Sequence, residues 1–251
     1  MAILLALCAQ LPLADSLFAH GYLEAARVEY LRGFFFHPEL KRTIELRLNY
    51  AITVLSADEP RGIAELTGIV DSFPELPPAI VNRIAVEYIR AGRYYLAINL
   101  LSTGSDRKML GLALLLDDQL IEARNTFIRN EDYAIAAAID TFMHFPAKSE
   151  KTALLLSLFL PGAGQVYASD VRQGLADFLI NIGSAYLLFN AFKQQKYIDA
   201  SLVFFFLINR FYLGSLHNAQ KAANEYNESR RREWLNHFLN SHFDSLNLKV
   251  R

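Results

Sequence analysis

The stretch that decides the fold is Ser157–Gly174, SLFLPGAGQVYASDVRQG. It opens as an apolar helix, stops at Pro161, and sets Gly162 and Gly164 on either side of one alanine, ahead of Gln165 and Tyr167. A glycine-rich loop can cradle a phosphate, but no Gly-Lys-Ser/Thr stands downstream here. The third glycine and downstream acid of a dinucleotide fingerprint are missing too. Instead the chain enters its most hydrophobic part. Gly174–Phe192 contains no Lys or Arg and as a helix is about 28 Å long, near the thickness of a bilayer core. Tyr197–Leu216 is a second such run, and only KQQK, Lys193–Lys196, separates the two. Two adjacent apolar runs joined by a tight polar turn predict a transmembrane helical hairpin; a buried helix pair is the soluble alternative.

Working outward, the quoted stretch becomes a half-helix over 152–160, a turn over 161–165, and a launch into the first span at 174. Irregular backbone at membrane depth must be covered by protein or meet water. Gln165 is therefore expected to satisfy freed backbone groups, and Tyr167 to suit the interface. Polar residues inside the spans need partners. An antiparallel hairpin sets Asp177 beside Arg210, which predicts an ion pair; the alternative is that Arg210 snorkels to the headgroups. Beyond the second span the helical pattern continues, with Ser215, Ala219 and Ala223 forming a small face suited to close packing. Residues 228–251 form a basic, amphipathic tail. There Arg230–Arg232 suit anionic headgroups, and Trp234, Leu235, Phe238 and Leu239 suit the interface, with a solvated charge run as the alternative.

From Asp15 to about His144 the pattern is helical throughout by three- and four-residue apolar spacing, with no sustained alternation, and residues 15–147 are assigned to the repeat domain. LFAHGYLEAARVEY, YIRAGRYYLAINLL and LLLDDQLIEARNTF align at their turns, each with a large residue followed three positions later by alanine: Tyr22/Ala25, Tyr94/Ala97 and Leu120/Ala123. Between them, ADEPRGIAELTGIVDSFPEL fits poorly. Leu23, Ala26, Val28 and Leu31 are expected along the inward stripe of the first of these helices. Tyr22, Phe34, Phe35, Tyr94 and Tyr95 are read as core.

Residues 1–14 are a short apolar run ending at Ala14, which fits an export signal without its basic n-region; an uncleaved anchor or a buried first helix are the alternatives. Cys8 is the only cysteine, which rules out an intrachain disulfide or a Cys-rich metal site. With a net charge of −1, nothing points to nucleic acid. No G-x-S-x-G elbow and no H-E-x-x-H pair is present. The expectation is no catalytic residue, no metal and no cofactor.

Two resemblances organise these observations. The large-residue–alanine turns resemble tetratricopeptide repeats, whose period is about 34 residues. The segment from LPGAGQVY to NAQKAANEYN resembles a bacterial family of small integral-membrane domains of unknown function, marked by a P-G-x-G-Q-x-Y turn, a glycine before the first span, and an alanine-rich stretch ending in Tyr-Asn. The matching positions are Pro161, Gly162, Gly164, Gln165, Tyr167, Gly174, Asn218, Ala219, Ala223, Tyr226 and Asn227; Ala168 stands where that family has glycine. The resemblance implies architecture and location and no reaction.

The expected molecule is all-α: a tetratricopeptide-like α-solenoid, a membrane domain over 148–227, and the tail. Its expected function is that of a non-enzymatic scaffold binding partner proteins at a bacterial membrane, with self-association through the spans. The rival is a membrane enzyme or transport component around Asp177, Arg210 and His217. The export signal places the repeats outside the cytoplasm. Lys148, Lys151, Arg172, Lys221 and Arg230–Arg232 outnumber Lys193 and Lys196 and favour the reverse.

Overall fold

The computed structural model describes residues 12–104 and 106–246, and all regular elements among them are helical. The chain divides into two compact units, residues 1–143 and 144–251. Most of the apolar leader read from the sequence lies outside the described residues. Residues 12–14 do not: they belong to a helix, α1 (residues 12–19), and Ala14 is fully buried against Ala26, Tyr30 and Phe34. The folded unit therefore includes the end of the segment assigned to the leader.

The first unit is a run of antiparallel helices: α1, α2 (Leu23–Phe36), α3 (Ile44–Ala57), α4 (Glu59–Ser72), α5 (Pro78–Arg90), α6 (Tyr94–Ser102), α7 (Arg107–Leu116), α8 (Leu120–Arg129) and α9 (Tyr133–Met143), with a 3-10 turn at Pro38–Arg42. Each second helix of a pair carries a small residue at its fourth position: Ala26, Gly62, Ala97 and Ala123. All four are buried, because this is where the second helix crosses its partner. A Cβ on Gly62 would overlap the backbone of Leu55. This corrects the sequence register by one residue in α2, where the pair is Leu23/Ala26; Ala25 and Tyr22 are exposed. It also explains why the α3–α4 segment aligns poorly, since Gly62 replaces alanine and Glu59 replaces the large residue.

Equivalent positions in successive pairs bond to one another. Asn49 donates to Asp15 at 3.3 Å and Arg83 donates to Asn49 at 2.8 Å, and each partner is 34 residues from the last. Arg93 donates to Glu59 across the same interval. The core between the helices is large and apolar, with Tyr30, Leu48, Leu66, Ile69, Ile84, Leu112 and Phe127 among its fully buried side chains. Tyr30 donates to Asp15 at 2.5 Å, and burial, reinforced by that carboxylate, pushes its hydroxyl pKa above the usual tyrosine value. Val28, Leu31, Phe35 and Tyr95, expected inside, are exposed; the inward stripe of α2 is Ala26, Tyr30, Gly33 and Phe34.

The second unit holds α10 (Glu150–Phe159), α11 (Ala163–Tyr167), α12 (Val171–Lys193), α13 (Tyr197–Leu202) and α14 (Asn209–His242), with a π-helical stretch at Val203–Ile208 joining the last two. From Tyr197 to His242 the helix is continuous, so the second apolar run and the amphipathic tail are one element. The turn is also tighter than expected. Only Pro161 and Gly162 form it, and residues 163–165 are already helical. Residues 144–147, grouped with the repeats by the sequence, belong to this unit. Its core contains Ala153, Ser157, Gly162, Gly164, Gln165, Ala168, Gly174, Ser215, Ala219 and Ala223.

One turn recurs through both units. At Gly21, Gly92, Asp118, Glu131, Ser169 and Gln195 the backbone enters the left-handed region, with φ between +58° and +80°. In each case the next residue's N–H reaches back five positions to a carbonyl at 2.8–3.0 Å, and the left-handed residue's own N–H reaches back three. This is a Schellman cap, which satisfies the orphan carbonyls of the ending helix and reverses the chain.

Candidate functional site

The glycine turn at Pro161 becomes, in three dimensions, a hydrogen-bonded knot inside the second unit. Gly162 takes φ +93°, a conformation open to glycine, and a Cβ there would overlap the carbonyl oxygen of Gly174. Gly174 returns the contact: its added Cβ would lie 2.6 Å from the carbonyl oxygen of Gly162 and from Val166 Cγ2. Gly164 is pressed between α10 and α14, where a Cβ would overlap the carbonyl oxygen of Ala153 and come within 2.7 Å of the Ala219 Cβ. All three glycines are therefore demanded by close backbone approach.

Gln165 sits at the centre, fully buried. Its Oε1 accepts from Ser157 Oγ at 3.0 Å, and its Nε2 donates to Asp177 Oδ2 at 2.5 Å and to the Ser215 carbonyl at 3.1 Å. Ser157 Oγ in turn accepts from the Gly164 N–H at 3.0 Å, and Ser215 Oγ accepts from the Gly162 N–H at 3.2 Å. The amide of Gly162 in the turn and that of Gly164 in the first turn of α11 thus end on serine hydroxyls from neighbouring helices. Tyr212 donates to the Leu158 carbonyl at 2.6 Å, covering an acceptor freed at the end of α10. No described buried side-chain N or O atom lacks a hydrogen-bond partner.

A second cluster closes the other end of α10. Asn227 clamps the Lys148 backbone from both sides, accepting from its N–H at 2.8 Å and donating to its carbonyl at 2.9 Å. The Lys148 ammonium lies over the rings of Tyr167 and Tyr226, 4.8 and 5.5 Å from their centres, and Tyr167 Oη accepts from the Ser149 N–H. The eleven residues singled out from the sequence therefore separate into two groups and a link. Pro161, Gly162, Gly164, Gln165, Gly174 and Ala219 gather at the turn, and Tyr167, Tyr226 and Asn227 at the clamp. Ala223 is buried between them on α14, and Asn218 is half-buried on the same helix. Ser157 and Ser215 complete the network without being legible as bonding partners: nothing in a sequence marks a serine as the acceptor for an amide 53 residues away.

Asp177 and Arg210 do not pair. Asp177 is taken by Gln165, its backbone carbonyl accepts from Asn181 at 2.8 Å, and Arg210 is exposed. His217 is exposed as well. Leu235, Phe238 and Leu239, assigned to the headgroup interface, are buried, and Trp234 stacks on Phe238 with ring centres 5.0 Å apart. Arg230 lies over the Phe145 ring at 4.7 Å. Among the described residues no group of three His, Cys, Asp or Glu could hold a metal ion.

The first unit offers a different feature. A cleft of about 900 Å³ opens beside α2, α3 and α4, walled by Leu31, Phe35 and Phe36 and edged by Arg32, Lys41 and Arg61. Phe35 is 78% exposed and Phe36 60%. Tyr50 forms part of its floor, and burial pushes that hydroxyl's pKa upward.

Among the described residues, two helices are long and apolar enough to cross a membrane: Val171–Lys193 and the one starting at Tyr197. The apolar window of the first is only 17% buried in the protein and that of the second 13%. Comparison of the chain with protein-family models, with characterised proteins and with solved structures finds no match.

Proposed function

We propose that the protein is a non-enzymatic, membrane-anchored scaffold, with a tetratricopeptide-like domain that binds partner proteins and a helical hairpin that fixes it in a bacterial membrane. The observation that carries the anchor is the low burial of the two apolar helices. A core helix of a soluble protein hides its apolar side chains, whereas Leu179, Tyr186, Phe189, Ile198, Phe205 and Phe206 are each more than 60% exposed. So large an apolar surface needs a partner, and acyl chains are the partner that matches its length.

The repeat reading rests on the 34-residue ladder Asp15–Asn49–Arg83 and on the small residue at the fourth position of each second helix. Stacked helix pairs of this kind present a continuous surface for a protein segment. The exposed Phe35 and Phe36, in a cleft also lined by four cations (Arg32, Lys41, Arg47 and Arg61) and by Glu65, are the anchor points such a segment would use. The repeats lie on the exported side in this reading.

The test uses the full chain in its native membrane. It should resist extraction by alkaline carbonate, and a photocrosslinker at Phe35 should capture a discrete protein. Replacing Phe36 by Ala should weaken that capture roughly tenfold, the loss expected for a contact worth about 1.4 kcal/mol. Extraction by carbonate would overturn the anchor. Capture unaffected by Phe36→Ala, or equal from an exposed site on another helix, would overturn the binding face.

A further inference from the structure

We propose that the tip of α10 and the Pro161–Gly162 turn are sunk into the hydrocarbon of the bilayer, as a re-entrant wedge beside the two spans. The proposal rests on the membrane reading of α12 and the helix from Tyr197, and it adds a third membrane element that does not cross.

Contacts set the levels. If the second span leaves the Lys193–Lys196 turn at Tyr197, a rise of about 1.5 Å per residue brings it out of a hydrocarbon layer about 30 Å thick near Leu216. Gly162 bonds to Ser215 and abuts Gly174, so Ser215 and Gly174 share a level just inside that boundary. Arg172 of α12 and His217 of α14 then mark the surface. The half-helix α10 joins the same frame through Gly164, which is pressed against both Ala153 and Ala219, and through the bond from Tyr212 to the Leu158 carbonyl. Ala153 lies just above the boundary, and Leu158 about 6 Å below it, four residues deeper along α14 at that rise.

The chemistry of α10 changes at the same level. Glu150, Lys151 and Thr152 stand above it and are exposed. Below it the outward side chains are Leu155, Leu156, Leu158, Phe159 and Leu160, and Phe159 is 84% exposed. Apart from Asp177, which Gln165 holds, and Arg210, which is exposed six residues below Leu216, three separate segments, α10, α12 and α14, pass from charged to apolar at one plane. That agreement is what a bilayer surface imposes and what a protein partner has no reason to reproduce.

The backbone meets the other requirement. In hydrocarbon an exposed N–H or C=O without a partner costs several kcal/mol, so irregular backbone survives there only when its polar groups are satisfied by protein. The amides of Gly162, in the turn, and of Gly164, at the start of α11, end on Ser215 and Ser157, and the Leu158 carbonyl takes Tyr212. A turn facing water would not need three side chains brought from other helices for this purpose.

The experiment places an environment-sensitive fluorophore on single cysteines in the full chain, in a Cys8→Ser background. Lys151→Cys lies above the plane, Phe159→Cys and Leu160→Cys at the tip, and Leu179→Cys within the first span. The protein is reconstituted in phosphatidylcholine–phosphatidylglycerol vesicles, and quenching is measured with aqueous iodide and with acyl-brominated phosphatidylcholine. At the tip, brominated lipid should quench several-fold more, and iodide several-fold less, than at residue 151, matching residue 179. A tip as open to iodide as residue 151, with residue 179 still lipid-quenched, overturns the wedge and leaves the spans standing. A tip shielded from both quenchers means that a protein surface covers it, which also overturns the wedge. If residue 179 itself is open to iodide, the membrane reading fails and the wedge with it.

Discussion

The two units use one turn and opposite interiors. Residues 12–143 bury Phe127, Tyr30, Leu48 and Ile84, with Phe35, Phe36 and Tyr95 among the apolar side chains left exposed. Around the Pro161 turn, the second unit buries Gly, Ala, Ser and one Gln and leaves Leu, Ile and Phe outside, while Leu235, Phe238, Leu239 and Phe243 are buried at the far end of the chain. Water drives the first kind of core, because each buried apolar side chain gains about 1.5–3 kcal/mol on leaving it. Among acyl chains that gain disappears, and helices are held instead by close backbone approach and by hydrogen bonds between them. Gly162, Gly164 and Gly174 supply the approach, and Gln165 with Ser157 and Ser215 supplies the bonds. On the proposed membrane reading, the difference in interior answers a difference in solvent, while the shared Schellman cap only reverses the chain.

The largest effect should come from adding one methyl group at the two kinds of glycine turn. Gly162→Ala forces a Cβ onto the Gly174 backbone and holds alanine at φ +93°. A loss above about 3 kcal/mol is expected, because backbone on both sides leaves nothing flexible to give way. Gly21→Ala has the same kind of φ, +80°, but open space around the new Cβ, so it should cost only about 1 kcal/mol. Thermal unfolding of the detergent-solubilised chain separates them. Trp234, the one tryptophan, lies in the second unit and reports its melting; limited proteolysis reports the first. Equal effects would mean that the tight contact at the turn contributes nothing.

Much of this arrangement can be read from the chain, for physical reasons that differ by element. The helices are legible because apolar residues keep a period, and the two long apolar helices because length and composition alone define them. The fourth-position alanines are legible as a pattern but not in register: Tyr22/Ala25 and Leu23/Ala26 both satisfy the spacing, and only the left-handed φ at Gly21 selects the second. The ladder Asp15–Asn49–Arg83 is hidden because its members are chemically unlike one another. Pairing Arg210 with Asp177 is reasonable from their common depth in the hairpin, yet sequence carries no rotation about the helix axis. That rotation turns Arg210 outward and leaves Asp177 for Gln165.

The comparison sharpens at the buried polar groups. Replacing Gln165 by Leu keeps much of the volume and strands the hydroxyl of Ser157 and the carboxylate of Asp177, at about 1–3 kcal/mol for each group left unpaired. The second unit should lose roughly 2–4 kcal/mol by Trp234 fluorescence. Thr126 is the buried counterpart in the first unit, but its hydroxyl only bonds back to the Glu122 carbonyl in its own helix. Thr126→Val should therefore change stability by less than about 1 kcal/mol, since that back-bond adds little to a helix already made. A Gln165→Leu protein as stable as the parent would show that close packing alone holds the knot.

The smallest effect tests what the two units share. Glu131 in the first unit and Ser169 in the second both hold φ above +60° without being glycine, at +62° and +72°. An L side chain in that region carries a strain of about 1 kcal/mol. Glu131→Gly and Ser169→Gly should therefore each stabilise by somewhat less than that, because glycine also makes the unfolded chain more flexible. The gain should be alike in the two units, since both residues occupy the same place in the same cap, with the following N–H bonded five residues back at 2.9 and 2.8 Å. Water and lipid act on side chains at the surface, and neither reaches a backbone strain held inside a hydrogen-bonded turn. A gain in one unit and a loss in the other would show that the solvent difference extends to the turns themselves.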